Sequence, residues 1–203
     1  VNKMRCWLIG PSGSGKSEIL RQLQTKLSYE KYTLVMDSDF PGLPIGNPDG
    51  TWGDDRHWYV DPRSLHPFLT KHNIIVGGIM SNWPEIASVL PWDVVLMLDV
   101  TPAILAERGY YRDIEERAAK DRKTEEQYLS EGEHFRNVIM RRIRELYNKR
   151  AIRINGDRPI GAVVSRTMGI IRQGSAYRHK PDPRWDSVAD YRAYVSKRFP
   201  NPS

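Results

Sequence analysis

Gly10-Pro11-Ser12-Gly13-Ser14-Gly15-Lys16-Ser17 is the stretch that decides how this chain reads. It fits G-x-x-x-x-G-K-[ST] at every fixed position. The residues before it, Met4-Arg5-Cys6-Trp7-Leu8-Ile9, read as a buried strand. Those after it, Ser17 to Leu27, carry Ile19, Leu20, Leu23 and Leu27 at helical spacing. A glycine-rich turn between strand and helix is an anion cradle. Glycines permit backbone angles closed to other residues and let amide N–H groups come close to an anion. The helix beginning near Lys16 aims its positive end at the same point. The expectation is that Gly10, Ser12, Gly13, Ser14, Gly15, Lys16 and Ser17 hold the phosphates of ATP. Lys16 supplies a point charge between the β- and γ-phosphates, and Ser17 offers its hydroxyl to Mg²⁺.

Outward from this turn the chain alternates strands and helices. Strands are expected at Tyr32–Met36, Asn73–Val76, Asp93–Leu98 and Ala151–Asn155, besides the first. Helices are expected at 62–72 with a break at Pro67, from about Ser81 to Glu85 onward, from Thr101-Pro102 towards Arg108, over 125–149 and over 160–172. Strands in alternation with helices imply a parallel sheet covered on both faces. The predicted fold is α/β, a three-layer α/β/α sandwich with a five-stranded parallel sheet. Residues 1–173 form its domain, 110–123 a charge-dense lid, and 174–203 a basic, aromatic tail. The stretch Phe40 to Pro62 is long for a loop and rich in Gly, Pro and Asp, so it is functional or carries short local structure.

Ligands of open α/β sheets gather at the carboxyl ends of the strands. Asp37-x-Asp39 ends the second strand, which is expected beside the first. Its alternative reading is a solvated turn. Asp99 ends an apolar strand, and reads as a strand-end or helix-capping residue. Positive charge for a transferring phosphate is sought in Arg108 and Arg112; Arg117 and Arg122 lie among acidic residues and fit surface ion pairs equally well. An acceptor site is expected in the segments 40–63 and 77–82. Trp52 offers a stacking face there, and Arg56 and Asn82 offer hydrogen-bonding groups. A small satellite core under the loop would explain the aromatics as well.

The motif, the Asp-x-Asp and the arginine-rich lid together resemble the P-loop nucleoside and nucleotide kinase superfamily, which contains adenylate and shikimate kinases. The likeness spans about residues 4–155. It implies that Asp37 holds Mg²⁺ through water and that Asp39 orients or deprotonates an acceptor hydroxyl. It also implies that the loop at Gly156 lies near the adenine, although a plain turn there fits as well. Arg56 resembles the acceptor-contacting arginine of shikimate-type kinases, but its surroundings differ from theirs, which argues against shikimate itself.

The 203 residues carry a net charge of +6, unevenly spread. Residues 1–99 hold 9 Lys+Arg against 11 Asp+Glu, and residues 100–203 hold 22 against 14. A basic second half, with a tail that interleaves Arg, Lys, Tyr and Trp, suits a polyanionic partner. It suits a solvated, arginine-rich surface as well. In this respect the chain is similar to the bacteriophage kinases that phosphorylate 5-hydroxymethyluracil in DNA, though no diagnostic motif carries that likeness. The implied activity is transfer of the γ-phosphate of ATP to a hydroxyl of a DNA base or nucleotide. The alternatives are a small-molecule nucleoside or nucleotide kinase and a nucleotide-dependent ATPase switch. The lone Cys6, inside a strand, excludes an intrachain disulfide. No apolar run approaches the roughly 20 residues of a membrane span. A cytoplasmic address is expected, that of the host cell if the chain is phage-encoded.

Overall fold

A computed structural model describes residues 4–27, 32–36, 42–45, 57–60, 73–80, 83–89, 92–116, 118–119, 122–147 and 151–173. Strands β1 (Arg5–Ile9), β2 (Tyr32–Met36), β5 (Asn73–Gly77), β6 (Val94–Asp99) and β7 (Ile152–Asn155) form one sheet in the order β2-β5-β1-β6-β7. All four pairings are parallel, with Trp7 opposite Val76 on one side and Val95 on the other. β3 (Gly42–Ile45) and β4 (His57–Val60) make a separate antiparallel hairpin. They lie in the Gly- and Pro-rich stretch that reads as a long loop in sequence.

The order corrects one expectation. β2 is not beside the motif strand, because β5 pairs with both and separates them. Two strand widths, about 10 Å, lie between β1 and β2. The connection from β1 through α1 to β2 passes over a vacant place in the sheet, which β5 then fills.

Alternation along the strands sorts the core into two halves. Cys6, Leu8, Leu96, Leu98 and Ile154 face α1 (Lys16–Leu27) and the C-terminal helix. Trp7, Ile9, Val95 and Met97 face α2 (Trp83–Val89) and the helices that follow the lid region. All six residues of β6 are buried, as a central parallel strand requires. Trp7 and Trp92 stack at 5.4 Å, and each indole N–H donates to a carbonyl, Gly78 O and Ile86 O. Each large side chain so enclosed contributes about 1.5–3 kcal/mol.

α3 runs from Pro102 to Glu116, well past Arg108. Half of the expected lid is therefore helix. Leu105, Ala106, Gly109 and Asp113 are its buried positions, a narrow stripe, while Glu107, Arg108 and Glu115 are exposed together with Tyr110, Tyr111 and Ile114. α4 (Glu125–His134) opens on a capping box, in which Thr124 Oγ1 accepts from Gln127 N and Gln127 Oε1 accepts from Thr124 N. It passes into a π-helical segment, Phe135–Ile139, and then α5 (Met140–Leu146). α6 (Ile160–Arg172) closes the layer over α1. The expected helix at 62–72 and the tail 174–203 lie outside the described residues. Among those described, no helix is long and apolar enough to cross a membrane.

Candidate functional site

The motif forms the turn between β1 and α1. Gly13 and Gly15 have φ of 79° and 85°, left-handed values that an L side chain rarely adopts. Ser14 N donates to Pro11 O at 3.2 Å, and Ile19 N to Gly15 O at 3.0 Å, so the turn passes directly into helix. Lys16 Nζ donates to the carbonyls of Gly10 and Pro11 at 2.7 and 2.8 Å. The ammonium is thereby held across the mouth of the turn.

Ser14 Oγ is buried without a hydrogen-bond partner. Leaving such a group unmade costs about 1–3 kcal/mol. A Cβ at Gly10 would lie 2.6 Å from this oxygen, so only glycine fits behind it. A Cβ at Gly15 would meet nothing within 4 Å, so the front of the turn is open. A tight back, an open front, an orphan hydroxyl and a poised ammonium fit a phosphate chain. Ser17 is exposed on the first turn of α1, where a metal can reach it.

Two arginines of α3 come to this turn. Arg112 Nη2 donates to Ser12 Oγ at 3.3 Å, to Tyr128 OH at 3.0 Å and to Asp113 Oδ1 at 3.3 Å. Tyr128 OH donates to Asp113 Oδ2 at 2.8 Å. Burial draws the Arg112 pKa down, but Tyr128 and Asp113 outweigh it and the net direction is up. Burial, then the bond to Asp113, raises the Tyr128 phenol, so this O–H stays protonated. Arg108 Nη1 donates to Gly156 O at 3.2 Å.

A cleft of about 250 Å³ extends from the turn between α1 and α6. Ser14 and Gly15 line it at the motif end, Ile160 and Val163 give it an apolar wall, and Arg108, Gly156 and Arg158 flank it. Gly156 and Arg108 thus share this cleft with the motif. Asp157 serves elsewhere: its Oδ1 accepts from Thr101 N at 2.8 Å and caps α3.

Asp99 ends β6, a strand-end position as read from sequence, and is not the carboxylate that caps α3. Its carboxylate is clamped by Arg136, at 2.6 Å, and by Arg153. It shares a strand face with Met97, opposite α1, and its oxygens are taken by guanidinium groups. Arg122 donates to the Ile114 carbonyl at 3.0 Å. Asp37, Asp39, Trp52, Arg56, Asn82 and Arg117 lie outside the described residues. Sequence reasoning missed Asp113 and Tyr128, fifteen residues apart, because no local pattern ties a tyrosine to a distant carboxylate.

Shikimate kinase from Acinetobacter baumannii, solved in complex with shikimate, is similar to this chain with a TM-score of 0.53. The match has 16% sequence identity and covers 85% of this chain and 94% of that one. The chain shares its α/β fold, with a parallel sheet, with that protein. A gluconokinase from Sinorhizobium meliloti 1021 matches at a TM-score of 0.46 and 13% identity, over 84% and 92% of the two chains. No family model matches the sequence, and no curated protein does.

Proposed function

We propose that the protein is an ATP-dependent phosphotransferase acting on a hydroxyl of a small molecule, of nucleoside, nucleotide or metabolite size. The observation that carries this is the open turn at 10–17 with Lys16 across its mouth and Arg112 on Ser12. A P-loop alone would serve an ATPase equally. Arginines on a helix beside the loop favour transfer, since they set positive charge where a phosphoryl group becomes more anionic. The fold it shares with shikimate kinase supports the same reading.

In this reading the main-chain amides of 12–17 and Lys16 hold the triphosphate, and Gly156, Arg158 and Ile160 flank the base. Mg-ATP would supply the transferable phosphoryl group and a metal charge to offset its oxygens. Ser17 and, through water, Asp37 would hold that metal. Asp39 takes the proton of the acceptor hydroxyl. Arg108 and Arg112 screen the charge, and Trp52, Arg56 and Asn82 position the acceptor.

A second reading is the 5-hydroxymethyl group of a uracil in DNA. The excess of positive charge after residue 100 favours it. Incubation with γ-labelled ATP and a panel of nucleosides, nucleotides, hydroxylated metabolites and DNA with plain or hydroxymethylated bases tests both. Label on a small molecule supports the proposal; label only on modified DNA selects the second reading. Phosphate release with no labelled acceptor overturns both in favour of an ATPase. Lys16→Ala is expected to weaken ATP binding at least about tenfold by calorimetry, the loss of one charge-assisted contact.

A further inference from the structure

On the face of β6 and β7 opposite α1 lies a second cavity, of about 810 Å³, between the sheet edge and the helix 135–146. Arg136, Arg141, Arg144 and Arg153 line it, against Asp99 and Glu145. Four guanidinium groups over two carboxylates leave it positive. The charge is also divided along its length. At one end Arg136 and Arg153 share Asp99. At the other, Arg141 and Arg144 are exposed and stand beside Glu145.

The π segment makes this alignment. In a regular α-helix, Arg144 would point roughly 80° around the axis from Arg136. The wider π turn at Phe135–Ile139 rotates less per residue and so turns Arg144 back towards the line of Arg136. Eight residues then separate them by about 12 Å along the axis at the α-helical rise. A single inorganic phosphate is too small to touch both ends, whereas a chain of phosphates reaches both. The cavity has the volume of a sphere about 12 Å across, only as wide as the major groove of a double helix, so a duplex does not enter it.

We propose that this groove is a docking track for the phosphate backbone of a single-stranded nucleic acid, separate from the nucleotide cleft. The two sites lie on opposite faces of the sheet: Leu96 and Leu98 face α1 and the cleft, Met97 and Asp99 the groove. The track therefore stands or falls independently of the phosphotransferase reading.

The test is fluorescence anisotropy of a labelled short oligothymidylate with the full chain at low salt, against the double variant Arg141→Glu/Arg144→Glu. Both positions are exposed, and an unchanged circular-dichroism melt confirms folding. Reversal is expected to weaken binding at least about tenfold and to reduce the slope of log K against log salt by about 1.4, two single-strand phosphate contacts. Arg166→Glu, exposed on α6, carries half the charge change on the other face and is expected to leave the slope unchanged. ATP affinity, titrated on the same variants, is expected to stay constant. Absence of binding by the wild type, an unaltered slope in the double variant, or an equal effect of Arg166→Glu overturns the track. Competition by thymidine monophosphate at equal phosphate concentration overturns the polymeric ligand, and a preference for duplex overturns the single strand.

Discussion

Gly109 has no room for a side chain. A Cβ there would stand 2.4 Å from Tyr128 Cε1 and 2.6 Å from two further ring carbons. The ring is buried and its hydroxyl is fixed by Asp113 and Arg112. Gly109→Ala is therefore expected to cost about 1–3 kcal/mol, the range for overpacking a close-packed site. Gly169→Ala, in α6 with nothing within 4 Å of the added carbon, is expected to stabilise by about 0.5–1 kcal/mol. Urea denaturation of the two variants gives opposite signs if this reading is right. Cys6 makes a third test at this scale. It is fully buried in β1, and burial first, then the Asp93 charge, pushes its thiol well above the usual range. An aromatic disulfide reagent is expected to leave it untouched in the native protein and to modify it in denaturant. Of these residues, sequence marks Cys6 as a strand position. It is silent on Gly109, whose constraint comes from a ring nineteen residues away.

In α1 the first turn carries its own charge arrangement. Glu18 accepts from Arg21 Nε and Nη2 at 2.8 and 2.6 Å and from Gln22 at 2.7 Å, which holds its carboxyl at about 2. The folded value lies below the unfolded one, near 4.3. Any stabilisation is thus fully present above that pH and lost as pH falls towards 2. A carboxyl-carbon NMR titration is expected to place the Glu18 midpoint near 2, and Arg21→Ala to return it towards the unfolded value. Because the pair is exposed, added salt should narrow the difference. The elements themselves were largely legible. Hydrophobic spacing locates α1, α6 and the five parallel strands to within a residue or two. The π segment and the length of α3 were not. α3 buries so few positions that its charged surface reads as a lid. A π turn leaves no signal in composition, since it is fixed by what Arg136 and Phe135 meet in the sheet.

Across the whole molecule, sequence predicts alternation but not order. The position of β5 between β1 and β2 depends on how a long connection crosses the sheet, and nothing local encodes that choice. At the amino-terminal edge of the sheet, Arg5 and Asp93 fasten β1 to the entry of β6. Asp93 accepts from the Arg5 amide at 2.9 Å and from its guanidinium at 2.8 and 2.9 Å. Asp93→Asn removes the charge from three donors at once and is expected to cost about 1–3 kcal/mol. For a chain of this length each kcal/mol lowers Tm by about 2–4 °C, which a thermal melt resolves.

The motif turn springs from the middle of the sheet, where β1 is hydrogen-bonded along both edges. Amide protons of residues 6–9 therefore exchange with solvent only when the whole domain opens. Peripheral parts can loosen without disturbing the phosphate cradle. Ligand gripped there draws its stabilising effect from global unfolding, so a saturating nucleotide should slow exchange through the entire sheet at once.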